Sequence, residues 1–321
     1  MRQYLIVRLL EVIPTLLVVS VVLYLLLALA PGDPIDAMIA GNPHLRPEDV
    51  VQLKRLYGLD QPIHVQYLKW LARVVQGDLG WSLMHKMPVV DIIRIRAPNS
   101  ILLMTTGLAL AVLVAVPVGV YAAVRQYSAA DYVASAVAFA GFSIPLFWFG
   151  LLMIYVFGIW LGWLPAGGFR TVGIDAPLPA AIDRLRHLIL PALVIAFFNM
   201  AAIMRYTRSS VLEVIHQDYI RTARAKGLDD RQVLRHHAIR NAMIPVVTVL
   251  ALTFPLLFGG APVTESIFSW PGMGDLLVGA VLAGDLVVAQ TVLLILATAV
   301  VLFNLLADVA YGFLDPRIQY R

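Results

Sequence analysis

The chain of 321 residues contains no cysteine, which excludes disulfide bonds and thiolate metal sites throughout. Charge is scarce as well: 14% of residues are charged against 60% hydrophobic, with a mean hydropathy of +0.82. Soluble domains carry about 25% charged residues, so the deficit points to a membrane protein. Lysine occurs only at Lys54, Lys69, Lys86 and Lys226, and none of these follows a glycine. No G-x-x-x-x-G-K-[ST] loop therefore exists to cradle the phosphates of ATP. H-E-x-x-H and G-x-S-x-G patterns are missing too, so protease or lipase chemistry has no visible nucleophile–base pair. No catalytic residue, resident metal or cofactor is expected in this chain.

What the sequence does hold is oil. Apolar runs of the roughly 20 residues that span about 30 Å of hydrocarbon occur at Leu9–Ala30, Ile101–Ala123, Val133–Gly162, Leu188–Met204, Ala242–Val263 and Leu286–Leu306. In the third and longest, Pro145 either bends one tilted helix or marks a re-entrant hairpin. Arg2 and Arg8 ahead of Ala28-Leu29-Ala30 have the outline of a secretory signal. The run is too long for one and Pro31 disfavours cleavage, so a retained first helix is expected.

The fold class that follows is all-α and transmembrane, with six spans. Residues 1–30 form the N-terminus and first helix, and 31–99 an extracytoplasmic segment. Residues 100–310 form the core, with a cytoplasmic loop at 205–241, and 311–321 a cytoplasmic tail. Within 31–99, EDVVQLKRLYGL and PIHVQYLKWLARVV have the periodicity of short amphipathic helices. Trp70 and Trp81 there suit a pore cap or a membrane interface.

Basic residues orient the chain. With the N-terminus inside, the inner segments hold Arg2, Arg8, Arg125, the eight cations from Arg205 to Arg240, Arg317 and Arg321. The short outer loops hold Arg170, Arg184 and Arg186, and Thr264–Asp285 holds no Lys or Arg. Both termini are expected in the cytoplasm.

Ionisable groups deep in a span mark ion pathways. The two candidates, Glu11 and Asp308, lie near the inner ends, which argues against a proton-driven transporter. Asn199 and Asn304 suit helix–helix hydrogen bonds, while Ser143, Pro145 and Asn199 are candidates to line a translocation path. His236 and His237, adjacent on a helix, make a poor chelate.

One stretch departs from the rest. DYIRTARAKGLDDRQVLRHHAIRN, residues 218–241, is crowded with arginine. Leu212, Ile215, Tyr219 and Ala223 form one helical stripe across residues 211–226. Cations fill the last turn before Gly227, and Asp229 with Gln232 forms a capping box for a second helix. The outline fits an orienting loop, a DNA-reading helix-turn-helix or an element docking into a cytoplasmic partner. Spans at both ends leave no freedom to enter a DNA groove, so nucleic acid is not an expected partner.

YIRTARAKGL followed by RNAMIP resembles the coupling loop of ATP-binding-cassette importer permeases of the dipeptide, oligopeptide and nickel branch. Arg221-Thr222-Ala223 stands where that loop has Glu-Ala-Ala, and Gly227 keeps its spacing. The resemblance extends over nearly the whole chain. It takes in Ala30-Pro31-Gly32-Asp33-Pro34, Gly58-Leu59-Asp60-Gln61-Pro62, Gly77-Asp78-Leu79-Gly80-Trp81-Ser82, Glu265 to Gly274, and Leu314-Asp315-Pro316-Arg317. Pro262 departs from the aliphatic residue usual there.

The resemblance implies a type I importer permease, a transport subunit and no enzyme. It would pair with a second, homologous permease subunit in the lipid bilayer of a bacterial or archaeal cell (inner) membrane. Two ATPase subunits would bind ATP and Mg inside, and a solute-binding protein would deliver a di- or oligopeptide outside. Nickel chelates, glutathione, heme and oligosaccharides stay open as cargo. Asp218, Tyr219, Arg221, Thr222, Ala223, Arg224, Ala225, Lys226 and Gly227 would couple to the ATPases. Glu265, Phe268, Trp270, Pro271 and Gly272 would form the outer gate facing the binding protein.

Overall fold

Hydrocarbon offers no partner to a free peptide group, which drives apolar runs to close their backbone hydrogen bonds within helices. The computed structural model describes residues 2–29, 52, 55, 60–174, 176–253 and 260–314. Expectations for 30–34, most of EDVVQLKRLYGL, the far end of the fifth run at 254–259 and the tail after Leu314 lie outside these residues.

In chain order the elements are α1 (Arg2–Ala28), α2 (Ile63–Val75), a small hairpin β1 (Trp81–Ser82) and β2 (Met87–Pro88), and α3 (Val89–Val124). Then come α4 (Ala129–Ser143), α5 (Leu146–Met153) with a π-helical turn at Ile154–Trp160, α6 (Pro177–Ile215) and α7 (Asp218–Ala225). A single turn, α8 (Asp230–Gln232), leads through a π-helical stretch, Val233–Ile239, into α9 (Arg240–Thr253). Last are α10 (Pro262–Ile267), α11 (Met273–Leu282) and α12 (Leu286–Leu314).

Among the described residues, α3, α6 and α12 are each long and apolar enough to cross a membrane. The pair α4–α5 makes a fourth candidate, and its two halves meet at 105°. That is sharper than one tilted helix. Pro145 excludes helical geometry from the residue before it, and Ile144 is extended (φ −82°, ψ 128°). α4 therefore stops there and Pro145 starts a new helix. The first run is apolar over Leu10–Leu26, and the fifth is described as helix only to Thr253. The segment before the last span, expected as a loop, contains the two short helices α10 and α11.

The residues fall into two units. The first comprises Met1–Ser100, Phe258–Pro262 and Pro271–Arg321. In it α1 packs along α12, and α2 lies against α1 through Tyr24, whose ring centroid is 5.4 Å from that of Trp70. Ser20 Oγ and Tyr67 Oη add a hydrogen bond of 2.9 Å. The core joins Val89 and Ile92 to Met273, Leu276, Val288 and Val292. Asp285 ties the hairpin to α12, accepting from Ser82 Oγ (2.6 Å) and from the Met84 N–H (3.2 Å).

The second unit comprises Ile101–Leu257 and Val263–Trp270. Here α4 and α9 pack on α6 around small residues, including Ala111, Ala115, Ala138 and Ala201. Glycine permits the closest approach. A Cβ on Gly119 of α3 would stand 2.8 Å from Thr207 Cβ and 2.9 Å from the Met204 carbonyl oxygen. The latter is backbone and cannot step aside, which is how small residues bring membrane helices together.

Gly119→Val is expected to lower the thermal unfolding midpoint of the detergent-purified chain, with a cost of about 1–3 kcal/mol for overpacking. An unchanged midpoint would show that α3 and α6 are not in such contact.

Candidate functional site

The arginine-rich stretch folds as an elbow with its own small core. α6 ends at Ile215, and the chain breaks at His216 and Gln217 before α7 begins. Residues 211–226 are thus two helices rather than the single one expected. The break moves the apolar stripe. Ile220 (0% exposed) and Ala223 (7%) face inward, while Tyr219 is 42% exposed. Val233 and Ala238 from the far arm close over Ile220 and Ala223, with Val214, Ile215 and Leu234 packed around them.

α7 carries Asp218 in its first turn and Arg224 in its last, both favourable to the helix dipole. Gly227 then has φ +84°, the left-handed turn that ends the arm, and its N–H reaches the Arg224 carbonyl (2.9 Å). Asp229 occupies the N-cap position of α8 with extended geometry (φ −62°, ψ 144°), yet its side chain makes no capping bond. The expected capping box is therefore absent. After a single turn the arm widens into the π-helical stretch, which keeps Val233 and Ala238 inward.

The elbow presents Asp218, Tyr219, Arg221, Thr222, Arg224, Ala225, Lys226 and Gly227 on its outside. Ala223 belongs to the interior, so it serves the elbow's own packing rather than an approach by another chain. Arg224 pairs with Asp230 (3.2 Å) across the turn, and Arg221 lies 3.9 Å from Asp218. Such exposed pairs contribute little, about 0–1 kcal/mol. Asn241 Nδ2 donates to Tyr219 Oη (3.0 Å), joining the two arms. Replacement of Ala223 by Leu should loosen the elbow and expose it to protease, whereas Ala225→Leu should leave the proteolysis pattern as it is. Equal patterns for the two variants would contradict the inward position of Ala223.

Most of the expected outer-gate residues are buried. Glu265 (0% exposed), Phe268 (1%) and Trp270 (0%) lie in or just after α10. Trp270 is not the exposed interfacial anchor that its type allows. Its ring meets Phe169 edge-on at 5.0 Å, and the Trp270 backbone N–H donates to the Glu265 carbonyl (2.8 Å). The loop after α5 straps down against this segment: Gly168 N–H donates to the Phe268 carbonyl (2.7 Å). That loop is moored in turn to α6, where Asp183 accepts from both the N–H (2.6 Å) and Oγ1 (2.7 Å) of Thr171. His187 Nδ1 donates to the Asp183 carbonyl (2.9 Å). In the first unit, Pro271 accepts from Asn99 Nδ2 (2.9 Å), and Gly272 caps α11 in an extended conformation.

The three candidates for a translocation path do not converge. Ser143 and Pro145 are exposed at the α4–α5 break, and Ser143 Oγ donates to the Phe139 carbonyl (2.9 Å). Asn199 donates to the Ile195 carbonyl of its own helix (2.8 Å) rather than across to another. Gly141 of α4 meets Phe197 and Ala201 of α6, and Asn199, two residues from each, is turned about 200° away.

The fold also assembles groups not singled out from the sequence. Ser82, His85 and Asp285 are the residue types of a hydrolytic triad, but the carboxylate bonds the serine instead of the histidine. They form a structural tie. Asp131, two residues before the third run, is held by Arg208. Its position at a run's edge was the available signal. No group of three or more His, Cys, Asp or Glu among the described residues is placed to hold a metal.

Long apolar helices and an exposed basic elbow are the marks of a membrane protein that presents a cationic face. Residues 115–320 match the binding-protein-dependent transport system inner membrane component, and 1–105 match the N-terminal domain of the same kind of protein. The chain belongs to this family of inner-membrane transport components. It is 44% identical over 321 residues, all of both chains, to the oligopeptide transport system permease protein AppB of Bacillus subtilis. It is 39% identical over 321 residues, again all of both chains, to the glutathione transport system permease protein GsiC of Salmonella typhi. Over 339 aligned residues, covering both chains completely, it is 39% identical to the dipeptide transport system permease protein DppB of Escherichia coli.

Proposed function

We propose that this chain is one of two homologous pore-forming subunits of an importer for di- or oligopeptides. The observation that carries the reading is the elbow, a small structure with its own core, projecting cations from a chain that has no nucleotide loop. Two ATPase subunits holding ATP and Mg engage its outer face. Their closure on nucleotide pushes the elbow and rocks the helices between outward- and inward-open states, as alternating access requires. A solute-binding protein delivers peptide to the opposite side, at the segment around Glu265–Gly272. The oligopeptide and dipeptide permeases among the relatives support peptide cargo, and the glutathione permease fits too, since glutathione is itself a short peptide.

The elbow and both termini lie in the cytoplasm, which the basic residues from Arg205 to Arg240 support. Because the natural chain has no cysteine, single cysteines report sidedness cleanly. Ala225→Cys is expected to react with a membrane-impermeant maleimide only after permeabilisation. Val172→Cys, in a loop where that residue is 96% exposed, should react in intact cells. The reverse pattern would invert the topology.

Peptide uptake is tested in proteoliposomes holding both permease subunits, the ATPases and the binding protein. Gly227→Val is the decisive variant. A Cβ there meets nothing within 4 Å, so the harm comes from the left-handed backbone, about 1–2 kcal/mol, and from a side chain on the docking face. The variant should insert normally, lose ATPase subunits on purification and lose uptake. Undiminished uptake would count against docking at this face, and uptake without any ATPase would favour a stand-alone transporter.

A further inference from the structure

Between the elbow and the body of the second unit lies a buried ion pair with no part in the docking reading. Arg208 Nε donates to Asp131 Oδ1 (2.7 Å) and Nη2 to Oδ2 (2.9 Å), a two-pronged contact between α6 and the first turn of α4. The Asp131 side chain is 4% exposed and that of Arg208 30%. We propose that this pair is the strut through which displacement of the elbow reaches α3 and α4. The proposal rests on the ATP-driven reading above.

Position comes first. Arg208 lies seven residues before the end of α6, about 10 Å at 1.5 Å per residue, close to where the elbow begins. The same carboxylate organises the turn joining α3 to α4. Asp131 Oδ2 also accepts from the Tyr127 N–H (3.0 Å), with Tyr127 held at φ +64°. Ser128 Oγ accepts from the Asp131 N–H (3.3 Å), capping α4. The Asp131 carboxylate thus holds the turn and clasps α6, while its backbone N–H takes the Ser128 cap.

The neighbouring residue removes the slack. Thr207 is 0% exposed, and the α3 backbone at Gly119 presses directly on it and on the Met204 carbonyl. At this level α3, α4 and α6 are pinched together, and α6 cannot slide or turn without carrying the others.

Chemistry explains why a charged pair suits the task. A buried ion pair is weak evidence for stability, since apolar residues of equal volume often serve as well. What two parallel charge-assisted bonds add is direction: they resist rotation and sliding, which methyl groups tolerate. Lysine would keep the charge and lose the fork.

The test uses Asp131→Asn and Arg208→Lys in the full complex, reconstituted with ATPases and binding protein. Both variants should assemble and hydrolyse ATP at close to the normal rate. Peptide moved per ATP hydrolysed should fall about tenfold, inside the range that coupling between sites spans. Normal peptide moved per ATP in both variants overturns the proposal. So does a parallel loss of hydrolysis and uptake with a lowered unfolding midpoint, the mark of a simple structural anchor. If Asp131→Asn does not assemble, Arg208→Lys decides alone, because it keeps both charges. A wild-type complex that hydrolyses ATP without moving peptide would sink the transport reading itself, and the strut with it.

Discussion

Peptide groups in hydrocarbon must find their partners inside the protein, and the architecture is largely a set of answers to that demand. Helices meet it residue by residue. Where Pro145 removes a donor, the chain closes one helix with the Ile144 N–H on the Ala140 carbonyl and opens the next with the Phe149 N–H on the Pro145 carbonyl. Polar side chains obey the same demand. Ser143, Asn199, Thr207 and Thr291 each bond a carbonyl four residues back on their own helix.

Charge is held to the same standard. Asp131, Asp183 and Asp285 are each nearly buried, and each accepts bonds that an isolated carboxylate in such a place would lack. All three join separate elements: α4 to α6, the loop after α5 to α6, and the small hairpin to α12. The elbow's cations contrast with them. They are exposed and only loosely paired. Among the described residues the buried acids thus serve as ties, while the elbow's cations stay at the surface.

Much of this was legible in the amino-acid order. Apolar runs announced the helices because the bilayer asks for length and hydrophobicity, which are local properties. The left-handed turn at Gly227 and the cations ahead of it were likewise readable. The side that Tyr219 faces was not. A break at His216 and Gln217 shifts the helical phase, so Ile220 turns inward where a continuous helix would have buried Tyr219. The missing capping bond at Asp229 has a similar origin, since a cap motif names a residue type and position but not the rotamer. Glu265 and Trp270 resemble mouth residues in type; their burial depends on a loop about a hundred residues earlier folding over them.

By itself the sequence determined that this chain lives in a membrane, has no recognisable nucleotide-binding loop of its own, and carries a basic helical turn between two apolar runs. These depend on composition, periodicity and the conformational freedom of single residues. Tertiary structure alone decided that Asp131 meets Arg208, that Ser82 meets Asp285, and that Ala223 packs inward while Ala225 does not. Each of those depends on where two distant segments come to rest, and helix phase and close approach at glycine set that only once the chain has packed.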